Sequence, residues 1–71
     1  MAVKLRTQVD YISESTGYSA WVFLELGELK AQHVGYYTTE YQAESAAERH
    51  AEHLMSAFKL VGVESEIGAI K

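Results

Sequence analysis

The stretch from Val34 to Ala43 constrains the fold of this chain more than any other. A strand pattern ends there in Gly35 and a pair of tyrosines, two threonines follow, and an alanine-rich helical pattern begins. Thr39 lies three residues before Gln42, which is the spacing of a capping box. In that motif a hydroxyl accepts a hydrogen bond from a helix backbone N–H, and the amide side chain reaches back. We therefore expect a strand to end and a long helix to begin here.

Beyond Thr39 the pattern is that of an amphipathic helix, because apolar residues recur at steps of three and four. The residues expected on its buried stripe are Ala43, Ala46, Ala47, His50, Ala51, Leu54, Met55 and Phe58. Glu44, Glu48 and Glu52 form an acidic ridge on the other side, which is either a solvated surface or a dock for a basic protein. Gly62 is expected to end the helix, since a residue without Cβ adopts the left-handed cap most easily.

Three strands are expected before the helix. Residues 3–11 alternate between apolar and polar side chains, residues 13–17 form a turn cluster, and Tyr18 to Leu26 is rich in aromatic and aliphatic residues. The third strand, Ala31 to Tyr37, is less regular. The residues expected to face the helix from the first two strands are Val3, Leu5, Val9, Tyr11, Val22, Leu24 and Leu26.

These elements predict one α+β domain over residues 1–71, with a two-layer βββα(β) architecture. A three- or four-stranded antiparallel or mixed sheet packs on the single long helix. Residues 63–70 are candidates for the fourth strand, which the right-handed crossover rule places parallel to the first, giving the sheet order three-two-one-four. The predicted core consists of Val3, Leu5, Val9, Val22, Leu24, Ala47, Ala51, Leu54 and Phe58.

Composition excludes several classes of protein. There is no cysteine, so a disulfide framework or a zinc-thiolate site is ruled out, and the chain suits the reducing cytoplasm. No apolar run approaches a membrane span, and the first residues lack the apolar block of a signal peptide, so a cytoplasmic location is expected. A net charge of −4 with only 6 Lys and Arg disfavours a general polyanion binder.

No residue pattern points to catalysis. The chain has no nucleophile elbow, Gly-rich phosphate loop or paired-carboxylate motif, so we expect no enzyme activity and no cofactor. His50 and His53 lie one helical turn apart, a spacing at which two imidazoles can share a metal. Further ligands such as His33 or Glu52 follow no metal-binding spacing, and solvated or packed histidines are therefore the expected reading.

The predicted sheet leaves Trp21 and Phe23 on the face that points away from the helix. The polar residues expected beside them are Lys4, Arg6, Gln8, Ser19 and Glu25. Aromatic side chains on such a face are typical of interfaces, although the C-terminal tail or a dimer mate can also cover them. If they serve an interface alone, replacing them should change stability by under ~1 kcal/mol.

Two functional hypotheses follow from this face. The first is a small non-enzymatic protein-interaction module, of the accessory or inhibitor type found among viral proteins, that binds a protein partner or forms a homodimer. Its predicted contacts are Trp21, Phe23, Lys4, Arg6, Gln8 and Glu25. The alternative is a nucleic-acid-binding domain in which the aromatic rings stack on bases. That alternative uses Lys4, Arg6, Gln8, Trp21 and Lys30.

Two segments also resemble a known family of DNA-binding domains. Residues 21–26 and 34–47 are similar to the three-stranded sheet and helix of plant ethylene-response factors and of the arm-binding domain of tyrosine integrases. The resemblance implies a βββα fold and DNA contacts from a Trp and several Arg on the outer sheet face. Trp21 matches that pattern, whereas Phe23 and Glu25 stand where the family carries basic residues.

Overall fold

The computed structural model describes residues 3–25 and 29–69, which form four strands and one helix. The elements are β1 (Val3–Ser13), β2 (Gly17–Glu25), β3 (Leu29–Tyr37), α1 (Glu40–Leu60) and β4 (Ser65–Ala69). The sheet order is β3-β2-β1-β4, and α1 contacts all four strands. The expected α+β fold and its strand order are confirmed, while the helix-facing position predicted for Leu26 lies outside the described residues. Within those residues, α1 is too polar to be a membrane-spanning helix.

The first hairpin places the two sheet faces as the alternation predicts. β1 and β2 are antiparallel, with Leu5 opposite Leu24 on the helix side and Gln8 opposite Trp21 on the other side. The turn between them needs Gly17, whose φ of +86° lies in the left-handed region. A Cβ added to Gly17 would also collide with the backbone carbonyl of Tyr37.

β3 pairs antiparallel with β2 but contains a β-bulge. Gly35 pairs with Ala20 and His33 pairs with Trp21, so Val34 is the extra residue between two successive pairs. The bulge lets Val34 pack against the core while His33 stays with Trp21 on the opposite face. The sequence of this strand is irregular because the bulge changes the alternation of its side chains between the two faces of the sheet.

Both ends of α1 are capped. The Thr39 side chain accepts a hydrogen bond from the Gln42 backbone N–H at 3.1 Å, as the capping-box spacing predicts. The return half of that motif differs, because the Gln42 side chain instead accepts from the Thr38 hydroxyl at 2.8 Å. At the other end Gly62 has a φ of +79°, and its N–H and that of Val63 donate to the last free carbonyls of the helix.

The C-terminal segment forms the fourth strand. β4 pairs parallel with β1, with Leu5 opposite Ile67, and the Val3 N–H donates to the Glu64 carbonyl at 2.8 Å. Val63 and Ile67 then pack against the core cluster around Leu5. The parallel placement follows from the crossover through α1.

The core lies between α1 and the sheet in two clusters. The fully buried residues are Val3, Leu5, Ala20, Val22, Leu24, Ala43, Ala47 and Ala51. Six of the nine predicted core residues are buried, whereas Val9, Leu54 and Phe58 are partly buried at its margin. Ala20 was not predicted, whereas Ala43 was expected on the buried stripe of the helix and is buried. The small side chains of both residues let the helix approach the sheet closely. Tyr11 lies on the helix-facing side, as predicted, but is 63% exposed and contacts only the ring of Tyr18 among the described aromatic residues.

Candidate functional site

The outer face of the sheet, opposite α1, carries a continuous group of rings. The ring centroids of Trp21 and Phe23 are 6.5 Å apart, and those of Trp21 and His33 are 4.8 Å apart. Tyr36 extends the group, with its ring centroid 4.6 Å from that of His33. We call these four residues the aromatic cluster. Tyr36 is 61% exposed, so the cluster reaches solvent at the β3 edge.

Sequence reasoning found only half of this cluster. Trp21 and Phe23 follow from the alternation of β2, but His33 and Tyr36 belong to β3, where the bulge separates residues on one face by three positions rather than two. Leu29 also lies on this face, opposite Glu25, and is 61% exposed. The sequence signal that could have indicated the bulge is the irregular pattern of β3 beside the regular alternation of β2.

Trp21 is more firmly built into the fold than its position suggested. The indole Nε1 donates to the Ser19 hydroxyl at 3.0 Å, and Ser19 is only 1% exposed. Together with Phe23 and His33 these contacts leave the indole half-buried. These contacts favour a stability change larger than the ~1 kcal/mol expected from the sequence, because a hydrogen bond to a buried hydroxyl alone contributes about that much.

Basic and acidic side chains both lie beside the aromatic cluster. Arg6 forms an ion pair with Glu25 at 3.2 Å, and the Gln8 amide donates to the Asp10 carboxylate at 2.9 and 3.1 Å. Lys4 pairs in register with Glu25 on one side and with Glu66 on the other. All six predicted contact residues thus lie on the outer face, where Asp10, Glu25 and Glu66 offset the positive charges of Lys4 and Arg6.

Lys30 does not belong to this face. The register of β3 pairs it with Leu24, which is a buried residue on the helix side. Placing Lys30 with Trp21 and Arg6 was wrong, because the alternation along β3 assigns it to the opposite side of the sheet. The predicted basic surface therefore loses one of its three cations.

The two histidines on α1 have different surroundings. His50 Nε2 donates to the Gln32 side-chain carbonyl at 2.9 Å, which ties the helix to β3, while His53 is exposed. Over the described ranges, no group of three His, Asp or Glu is close enough to hold a metal ion. The acidic ridge of Glu44, Glu48 and Glu52 is exposed along its whole length.

Comparison with known proteins adds no relative to this description. No family model, curated protein or solved structure matches this chain.

Proposed function

We propose that this chain is a small non-enzymatic protein-interaction module whose outer sheet face binds a protein partner or a second copy of itself. The observation that supports the proposal is the aromatic cluster on a sheet face that none of the described elements covers. On the opposite face, α1 packs against all four strands and buries the two core clusters. A two-layer domain with aromatic side chains on the uncovered face of its sheet gains stability when a partner covers that face.

The chemistry of the face matches that of protein interfaces. Aromatic residues dominate the hot spots of such interfaces, and charged residues belong at the rim. Here the cluster lies beside balanced charges such as the Arg6–Glu25 pair. Strands of nine residues span about 30 Å, and four strands add roughly 15–20 Å of width. The flat area of the face is thus on the order of 500 Å², somewhat below the ~800 Å² that each partner buries in a standard interface.

The biological setting that we favour is an accessory or inhibitor protein, of the kind found among viral proteins, acting in the cytoplasm. The absence of cysteine suits a reducing compartment. A chain of 71 residues buries a modest share of its surface on folding, which favours association, and the homodimer is the simplest form of it.

Nucleic-acid binding through the same face is the second candidate, since the rings of Trp21 and Phe23 can stack on bases. The positive charge available to a polyanion on this face is smaller than the sequence suggested. Arg6 is paired with Glu25, Lys4 has an acidic residue on either side in the sheet, and Lys30 belongs to the helix side. Affinity for a polyanion falls steeply as salt rises, whereas apolar protein docking changes little.

The test introduces a charge beside the cluster without removing a buried side chain. Ala31 is exposed and pairs with Phe23, so Ala31→Glu places a carboxylate on the outer face. Ala57→Glu makes the same change on the exposed side of α1 and serves as the matched control. Trp21 is the only tryptophan in the chain, so its emission reports directly on coverage of this face.

Sedimentation equilibrium and Trp21 emission over a concentration series measure self-association, and capture from lysate of the source cells tests other proteins. We expect Ala31→Glu to weaken association at least tenfold, an effect of about 1.4 kcal/mol, and Ala57→Glu to leave it unchanged. Equal association by all three proteins, or none at all, would refute the proposal. Association that disappears between low and high salt and requires nucleic acid would favour the second candidate.

A further inference from the structure

A concave surface lies between the end of β3 and the first turns of α1, and it meets the outer face at Tyr36. This β3–α1 groove is open and has a volume of about 850 Å³. Tyr36 and Tyr37 contribute to its strand side, and Tyr41 and Arg49 contribute to its helix side. Tyr41 is 78% exposed, which leaves its ring available for contact. The groove shares only Tyr36 with the aromatic cluster.

The charge of the groove is opposite to that of the chain. The chain carries 10 acidic residues and a net charge of −4, yet no Asp or Glu lines the groove. Arg49 is the permanently charged residue in its lining, and it has no ion-pair partner in the part of the chain that the structure describes. An acid-free groove with an uncompensated guanidinium is complementary to a carboxylate.

Two further side chains of the groove are oriented by hydrogen bonds within the chain. The Gln42 carbonyl oxygen is occupied by the Thr38 hydroxyl at 2.8 Å, which leaves the Gln42 amide N–H groups to donate elsewhere. His50 is held by Gln32 at 2.9 Å, and this contact bridges β3 and α1 at the far end. Donors therefore lie along the helix side, at Gln42 and Arg49.

The strand side offers backbone hydrogen bonds. β3 is an edge strand that pairs only with β2 among the described strands, so alternate backbone N–H and C=O groups beside the groove face outward. Beyond the bulge at Val34, residues Gly35 to Tyr37 pair with β2 in regular register. From Tyr41 to Arg49 the helix rises about 12 Å, the length of roughly four residues in a strand.

We propose that the β3–α1 groove binds an extended segment of a partner protein that adds to the edge of β3 and places one acidic side chain on Arg49. Strand addition supplies affinity through backbone hydrogen bonds, and the groove selects the side chains. Because the groove is open, the bound segment continues past both ends, and its carboxylate comes from Asp or Glu within the segment. This site is independent of the proposed outer-face function.

A displayed library of random ten-residue peptides, selected on the wild-type chain, supplies the probe. We expect the selected sequences to share one acidic residue within a short β-branched or aromatic stretch. The strongest sequence is then synthesised with a fluorescent label, and its affinity is measured by anisotropy. A second peptide carries Gln or Asn in place of the acidic residue, and a third has an amidated C-terminus.

A double-mutant cycle locates the carboxylate. Arg49→Gln and the neutral peptide should each weaken binding about tenfold, and the two changes together should cost little more than one alone. Arg49→Lys keeps the positive charge but loses the two-pronged geometry of the guanidinium. Its affinity for the acidic peptide should therefore lie between those of the wild type and Arg49→Gln. The matched controls Glu48→Gln, on the exposed side of α1, and C-terminal amidation should leave the affinity unchanged.

Three outcomes would overturn the inference. These are failure to select any peptide, binding that is independent of Arg49, and binding that requires the free C-terminus. Peptide binding that is lost in Ala31→Glu but kept in Arg49→Gln would assign the peptide to the outer face instead. Far-UV circular dichroism of each variant confirms that Arg49→Gln, at an exposed helical position, remains folded.

Discussion

Replacing Trp21 by phenylalanine and by serine separates its contribution to stability from its contribution to docking. The phenylalanine variant keeps an aromatic ring on the outer face but removes the indole N–H that donates to Ser19 at 3.0 Å. The serine variant also removes the ring contacts with Phe23 and His33. Both changes occur on the face opposite α1, so the two core clusters stay intact.

The expected losses follow from those contacts. A net hydrogen bond contributes about 1 kcal/mol, and a buried hydroxyl left without its partner raises the loss to about 1–2 kcal/mol for Trp21→Phe. Ser19 is 1% exposed, so water does not readily replace the indole. Trp21→Ser loses in addition two aromatic contacts of about 0.5–1.5 kcal/mol each, which brings the total to about 2–5 kcal/mol before the lost buried area is added.

Urea unfolding followed by far-UV circular dichroism measures both losses, since Trp21 is the only tryptophan and its fluorescence disappears with it. The measurement is made at a concentration where the wild type is monomeric, because association and folding are otherwise linked. Ser19→Ala and the double variant with Trp21→Phe complete a cycle. We expect a coupling free energy of about 1 kcal/mol between the two positions.

Two results would contradict a stabilising contact between Trp21 and Ser19. If Trp21→Ser unfolds within ~0.5 kcal/mol of the wild type, the indole contributes nothing to the monomer and the contact with Ser19 is not stabilising. If the cycle shows no coupling while both single variants are destabilised, the loss comes from ring packing rather than from the hydrogen bond.

Three further predictions concern the fold. Phe58→Ala should cost on the order of 2–5 kcal/mol of unfolding free energy, in the lower half of that range because Phe58 is only partly buried. A melting temperature within a couple of degrees of wild type would contradict its place in the core. Thr39→Ala should cost about 1 kcal/mol in urea unfolding through loss of the helix cap, whereas Thr38→Ala should cost less because its hydroxyl bonds only to a side chain. Gly17→Ala should be more destabilising than Gly62→Ala, since both glycines have positive φ but only at Gly17 would an added Cβ collide with backbone atoms. Equal decreases in the melting temperature of the two variants would refute this steric argument.

The helix and the first hairpin were predictable because their determinants are local. Thr39 and Gly62 mark the ends of α1, and the alternation in β1 and β2 assigns Leu5 and Trp21 to opposite faces. Half of the candidate site followed from the same alternation. The other half did not, because the bulge at Val34 changes the spacing on one face, and a bulge becomes evident only from cross-strand pairing.

The sequence by itself determined the order of elements, the caps of α1 and the apolar stripe that packs on the sheet, since each depends on residues within a few positions of one another. Tertiary structure decided what depends on distant contacts. It placed His33 and Tyr36 beside Trp21, placed Lys30 on the helix side, and buried Ala20 beneath the helix. Those outcomes require the register between strands and the distance between layers, which no local pattern encodes.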